Sequence, residues 1–350
     1  MILNPDKILK FGELVEKHAF NKSVIYGRKI TTRSVPKSLC GYSHPVIRDH
    51  ISDQTRPRFI LELENSTIHF NGAIVLNNKL EIVKSGLFEH KHEDHNPWLW
   101  RERYLNIEIT EPKEIVLGNT LYLSTIWWNN FYHFHVDVLG KLFVLSAYYS
   151  QEEFDQVIFP GNPSQYMLEI FEGLGLLSKL RLEPSVPVMY SKITIPSYCA
   201  SGDGYVPGDL IHFLQENIGA KLTTKAKGKI YISRKNAATR RVINENDLEL
   251  ILNKNGFRTL YLEYMSISEQ ITEFSNASVI ITPHGAGLTN LIYAKEGTKI
   301  LEFFSTHYVN KCFAELAGEA NLDYYYAVFE KLPQSPEHIM VDLKVLDDFL

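Results

Sequence analysis

The chain has 350 residues, 45% hydrophobic and 22% charged, which is enough apolar material for two folded domains of ordinary size. A net charge of -5 and a pI near 6.2 leave no general attraction to nucleic acid or anionic lipid, so a nucleic-acid partner is not expected. Cys40, Cys199 and Cys312 are odd in number and far apart, and the opening Met-Ile-Leu-Asn-Pro-Asp-Lys has no basic stretch leading into an apolar one. Together these predict reduced thiols, no membrane span and a cytoplasmic setting, with peripheral contact at the inner face of the membrane left open.

Residues 1–57 are mixed, with a short helix expected over Lys7–His18 and no assignable chemistry. From Arg58 to Phe88, apolar runs alternate with Asn71-Gly72 and Asn77-Asn78, the turn signals of a small antiparallel meander. The run Glu89–His95 holds His90, His92 and His95 among three carboxylates, but without a recognisable ligand spacing. A solvated loop is the expectation there.

Leu121–Ile126 reads as a strand leading into Trp127–Asp137. Val138, Leu139, Leu142, Phe143 and Leu145 then follow with helical spacing. A helix starting near Asn130 carries Asn130, His133 and Asp137 as a polar stripe on an otherwise apolar element. Such groups are either a local cap and pair or the wall of an active site. Strands at Gln156–Pro160 and Val186–Pro196 with a helix over Ser164–Leu174 predict an α/β domain, closed by a linker at Ser201–Gly208.

The second domain is expected to run from residue 206 to 330. It has helices at Asp209–Ile218, Asn244–Asn253, Ser266–Phe274 and Asn310–Gly318, and strands at Lys229–Ser233, Phe257–Leu262 and Tyr324–Phe329. A tail helix is predicted over Asp342–Leu350. Ser266 and Glu269 form a capping-box pattern. Between Lys221 and Arg241 there are eight Lys or Arg and no acid. Arg234, just after a strand, and Arg240 in the following loop suit phosphate oxygens, because guanidinium donors engage them in pairs.

The most informative stretch is Val279–Phe304. The β-branched run Val279–Ile281 ends at Pro283, a small-residue turn follows, and Leu288, Leu291 and Ile292 give helical spacing before Lys299–Phe304 returns to strand. A loop opening onto a helix N-terminus favours an anion, and Gly285, Ala286 and Gly287 allow close backbone approach. His284, Leu288, Thr289 and Asn290 complete the loop, and Glu302 is placed to accept ribose hydroxyls. The candidate ligand is a nucleoside diphosphate.

The run Thr-Pro-His-Gly-Ala-Gly-Leu-Thr-Asn-Leu followed by Gly-Thr-Lys-Ile-Leu-Glu-Phe-Phe closely resembles the signature of glycosyltransferase family 61. Tyr231–Arg234 before the basic loop, and Asn-x-Tyr-His at 130–133 followed by Asp137, extend the resemblance over about two thirds of the chain. It implies a GT-B-like fold, with two Rossmann-like domains facing a cleft and the meander in the amino-terminal domain (residues 1–205). It also implies an inverting transferase that moves a sugar from a nucleotide-sugar donor to a glycan or lipid-linked glycan, as in bacterial capsule synthesis. Asp137 is the expected base, with His133 as its orienting partner or as the base itself. Asn130, Arg234, Arg240, residues 284–290 and Glu302 are expected to bind donor. No Asp-x-Asp occurs, so no metal cofactor is expected. A non-catalytic nucleotide-sugar scaffold and a nucleotide-sugar epimerase are the alternatives.

Overall fold

The computed structural model describes residues 30–32, 36–39, 44–48, 52–54, 58–68, 74–76, 81–83, 110–125, 127–200, 205–219 and 228–350. The expected helix over Lys7–His18, the His90, His92 and His95 run, Cys40, the start of the linker and Lys221–Lys227 lie outside them. The described residues form two compact units. One comprises residues 58–200; the other joins residues 30–54 to 205–350.

The first unit is built on a seven-stranded mixed sheet. Glu114–Tyr122, Gln156–Phe159, Leu180–Leu182 and Val188–Pro196 form its parallel part, with Glu114–Tyr122 between Val188–Pro196 and Gln156–Phe159. The expected meander exists as Ile60–Ile68, Ile74–Leu76 and Glu81–Val83, all antiparallel. It is not a separate piece, because Ile60–Ile68 pairs antiparallel with Val188–Pro196 and continues the same sheet. Leu61, Leu63, Ile68, Ile193 and Ile195 are buried there.

Across this sheet runs one helix over Phe131–Ser146, whose middle turn, Phe134–Val138, is wider than an α-helix and carries π-type hydrogen bonds. Its apolar side is fixed by an aromatic cluster, with Phe134 edge-on to Phe159, Phe171 and Tyr166 at 5.6–6.3 Å. Edge-to-face rings add stabilisation beyond buried area, of order 1 kcal/mol per pair.

The second unit holds a six-stranded sheet that is parallel throughout. Its order is Phe257–Leu260, Gly228–Ile232, Ala277–Pro283, Lys299–Ser305, Asp323–Phe329 and finally Lys37–Ser38. The chain leaves Gly228–Ile232 to build one neighbour and returns to build the other, so the order reverses beside that strand. Open α/β sheets bind ligands at such a reversal, outside the carboxyl ends of the strands.

Two expectations change here. The segment 36–39, expected in the first domain, belongs to the second unit because Lys37 and Ser38 extend its sheet and Leu39 N donates to Tyr326 O at 3.0 Å. The tail helix is reduced to a single 3-10 turn, Leu343–Leu346, capped by Asp342. Val345, Leu346 and Phe349 pin it into the sheet core, and that burial, rather than helix propagation, sets its shape. Asn244 sits at the N-cap of Glu245–Lys254, but its amide donates to Val341 O and accepts from Val341 N, tying the tail to the helix start. Ser266 and Glu269 do form the reciprocal capping box. Among the described residues no helix is long and apolar enough to cross a membrane.

Candidate functional site

In the second unit, Arg234, Leu262–Tyr264 and His284 all follow the carboxyl ends of neighbouring parallel strands. Around them lie a cavity of about 220 Å³, bordered by Arg234, Glu263, Gly285 and Gly287, and a second of about 140 Å³, bordered by Arg240, His284, His307 and Tyr308. A larger cavity of about 630 Å³ lies elsewhere in the same unit, beside His212, Lys295 and Glu319. It borders residues that precede the strands Ala277–Pro283, Lys299–Ser305 and Asp323–Phe329, and neither Arg234 nor Arg240 lines it.

The loop after Pro283 is tighter than predicted. Residues Ala286–Tyr293 form a 3-10 helix rather than an α-helix. Thr289 Oγ1 donates to Ala286 O at 2.7 Å and Asn290 Nδ2 to Gly287 O at 3.1 Å, each bonding a carbonyl three residues back. Asn290 Nδ2 also donates to Gln270 Oε1 at 2.9 Å. Leu288, Thr289 and Asn290 are buried; the side-chain bonds of Thr289 and Asn290 hold the loop in place, and Leu288 borders the cavity of about 220 Å³. A Cβ at Gly285 would meet Arg234 Nη1 at 2.1 Å, so a larger residue there would displace the Arg234 guanidinium from its place over the loop. At Gly287 a Cβ would meet Leu262 Cδ1 at 2.7 Å.

Arg234 and Arg240 are the cationic pair. Arg234 Nη2 donates to Thr239 O at 3.1 Å, while its Nε and that of Arg240 are both buried with no hydrogen-bond partner. Neither guanidinium forms an ion pair with a carboxylate among the described residues. Burial first, and then the Arg240 charge, depresses Arg234 to about 10, with Glu263 acting in the opposite direction. Arg240 is held with φ of 58° and stacks its guanidinium over the Tyr308 ring at 5.3 Å. Two adjacent cations with unsatisfied donors make a site for a multiply charged anion.

Glu302 is not where a ribose could reach it. The residue is fully buried; one oxygen accepts from His284 Nδ1 at 2.5 Å and the other from the Tyr324 hydroxyl. Burial, and then the Glu302 charge, pushes the Tyr324 phenol well up, so it stays a donor to the carboxylate. The role expected of Glu302 therefore changes from ribose acceptor to orienting partner of His284. Nδ1 is committed inward, leaving Nε2 as the edge of His284 available in the smaller cavity. The ring is held among Phe304, Tyr308 and Phe313 at 5.2–5.4 Å.

The second candidate centre belongs to the first unit. Asn130 caps the helix, accepting from Tyr132 N at 2.9 Å and His133 N at 3.4 Å, so its carbonyl is occupied structurally rather than presented to donor. His133 Nδ1 meets Asp137 Oδ2 at 2.7 Å, with side chains 31% and 17% exposed. Trp127 stacks on the imidazole at 6.0 Å. The wide turn Phe134–Val138 begins right after His133 and contains Asp137, and such turns are frequent at functional sites. This geometry favours His133 as the proton acceptor, with Asp137 fixing its tautomer.

Tyr324 was invisible to sequence reasoning because its link to Glu302 exists only across neighbouring strands. Glu263 was missed because nothing in its local sequence distinguishes it from a surface acid.

A sequence model described as Glycosyltransferase 61 matches residues 131–301, about half the chain. The match takes in His133 and Asp137 of one unit and Arg234, Arg240 and the His284 loop of the other. Beta-1,2-xylosyltransferase RCN11 of Oryza sativa subsp. japonica is 40% identical over 62 residues, 18% of this chain and 12% of that protein. Beta-1,2-xylosyltransferase of Arabidopsis thaliana is 38% identical over 64 residues, again 18% of this chain and 12% of the relative.

Proposed function

The chain belongs to glycosyltransferase family 61, and we propose that it transfers a sugar from a nucleotide-sugar donor to a glycan hydroxyl, with inversion and without a divalent metal. The observation that carries this reading is the Arg234 and Arg240 pair, unmatched by any described carboxylate and placed beside the reversal point of a parallel sheet. Fixed cations with unused donors stabilise a departing diphosphate, whose negative charge grows as the glycosidic bond breaks. Metal independence is supported by the lack of any Asp-x-Asp in the sequence. His284, held through Nδ1 by Glu302, presents its Nε2 edge to the smaller cavity beside Arg240.

In the reaction, the acceptor hydroxyl loses its proton to His133 Nε2, its oxygen attacks the anomeric carbon, and the donor diphosphate leaves with the bonding pair. One base and direct displacement give inversion. The half-exposed His133 and Asp137 pair supports this assignment. The GT-B architecture is part of the proposal and rests on two sheet-bearing units, the second with a parallel, reversing strand order. The names of the matched plant relatives make a xylosyl donor the first to test.

Calorimetric titration with nucleoside diphosphates, with and without EDTA, tests the site. Binding that survives EDTA and weakens by about 2 kcal/mol in Arg234→Ala is expected; loss on chelation sinks the metal-free reading. Sugar transfer to a glycan separates the proposal from a binding scaffold, and an acceptor-independent change in the sugar would indicate an epimerase.

A further inference from the structure

With Glu302 sealed inside the sheet, the ribose of a bound nucleotide needs another acceptor, and we infer that Glu263 is the group that recognises the ribose hydroxyls, with Asn236 holding it and Tyr264 beside the base. The inference rests on the reading of the Arg234 cavity as a nucleotide site and adds the class of nucleoside it takes.

The placement is topological before it is chemical. Phe257–Leu260 lies directly beside Gly228–Ile232 on the far side from Ala277–Pro283, and Ser233 N donates to Leu260 O at 3.0 Å. The 3-10 turn Leu262–Tyr264 follows at once, so Glu263 stands at the carboxyl edge one strand away from Arg234. In doubly wound sheets the phosphates sit after the first strand, and an acid after the adjacent strand takes the ribose hydroxyls. Glu263 and Arg234 border the same cavity of about 220 Å³.

The chemistry agrees with the placement. Glu263 is exposed, and Asn236 Nδ2 donates to its Oε1 at 2.7 Å. Its other oxygen accepts no hydrogen bond from a described residue and is open to a hydroxyl. The same Asn236 amide reaches the Tyr264 hydroxyl at 3.3 Å, linking the acid to a ring that is 77% exposed. An exposed aromatic beside a carboxylate offers a face for a base and an acceptor for its sugar. The competing role for Glu263 is that of a mere counter-charge to Arg234. A counter-charge would be indifferent to the hydroxyl at C2′.

The experiment compares UDP, GDP, ADP and CDP with their 2′-deoxy counterparts by calorimetry, on the wild type, Glu263→Ala and Glu263→Gln. The wild type is expected to bind the best ribonucleotide about 10- to 100-fold more tightly than its deoxy form, the worth of a charge-assisted hydrogen bond. Glu263→Ala should bring that ratio close to one while the deoxy form keeps or improves its affinity. Glu263→Gln should leave an intermediate ratio, and melting curves confirm that both variants fold. A wild type that ignores the 2′-hydroxyl, or a Glu263→Ala protein whose two affinities shift equally, overturns the inference and leaves the nucleotide site standing. If none of the diphosphates binds the wild type, the nucleotide reading of the cavity falls and this inference falls with it.

Discussion

The two units each hold an imidazole by its Nδ1 against a carboxylate, and the two pairs are built in opposite ways. His133 and Asp137 are four residues apart on one helix, 2.7 Å from each other and partly open to solvent. His284 follows the end of Ala277–Pro283 and Glu302 lies in the middle of the adjacent parallel strand Lys299–Ser305, with the carboxylate fully buried and closed off by Tyr324. An open pair can exchange its proton with a hydroxyl in the course of a reaction. A sealed pair cannot give up its hydrogen bond without stranding a buried polar group, so it fixes geometry. Under the proposed function the same two side-chain types serve proton transfer in one place and orientation of the anion site in the other, and accessibility decides which.

The sharpest way to break this comparison is to remove both imidazoles separately. His133→Ala should lower sugar transfer by about 10² to 10⁴ with little change in melting temperature, as loss of a general base does. Asp137→Asn should fall in the same direction, since the tautomer is no longer fixed. A fully active His133→Ala protein, measured by product formation under saturating donor, would move the base elsewhere.

Glu302→Gln should act on stability first. Removing a carboxylate that two buried donors share costs up to about 3 kcal/mol, read by denaturant unfolding, whereas Asp137→Asn should cost less because water reaches its site. Equal losses for the two variants would erase the distinction between open and sealed pairs.

A third imidazole sharpens the contrast through pH. Burial holds His135 down at about 4 from an ordinary 6.5, while its Nδ1 faces the Phe131 carbonyl at 2.9 Å. As pH falls through the window from 6.5 to about 4, the unfolded chain takes up the proton before the folded one, so stability drops with pH and is flat above the window. The total is about 3 kcal/mol, and His135→Phe should flatten that part of the melting-temperature profile. Arg234→Ala should weaken nucleoside diphosphate binding by about 2 kcal/mol, judged by calorimetry, and make it less sensitive to salt. Tyr324→Phe is the mildest change. It should cost about 1 kcal/mol in unfolding free energy through one lost hydrogen bond to Glu302.

What the sequence determined by itself was local. Apolar spacing places the helix that begins at Phe131, the strands Gly228–Ile232, Ala277–Pro283 and Lys299–Ser305, and the Ser266 cap, because periodicity and capping depend on residues a few positions apart. The cations at Arg234 and Arg240 and the His284 loop were legible for the same reason, as charge and small residues at a strand end. Tertiary structure decided what those groups do. It sealed Glu302 behind Tyr324, laid Arg234 over Gly285, tightened Ala286–Tyr293 into a 3-10 helix, and added Lys37–Ser38 to a sheet whose other strands start at residue 228. Each of these depends on which strands lie side by side, and strand order is fixed by burial of the whole sheet, which no short stretch of sequence encodes.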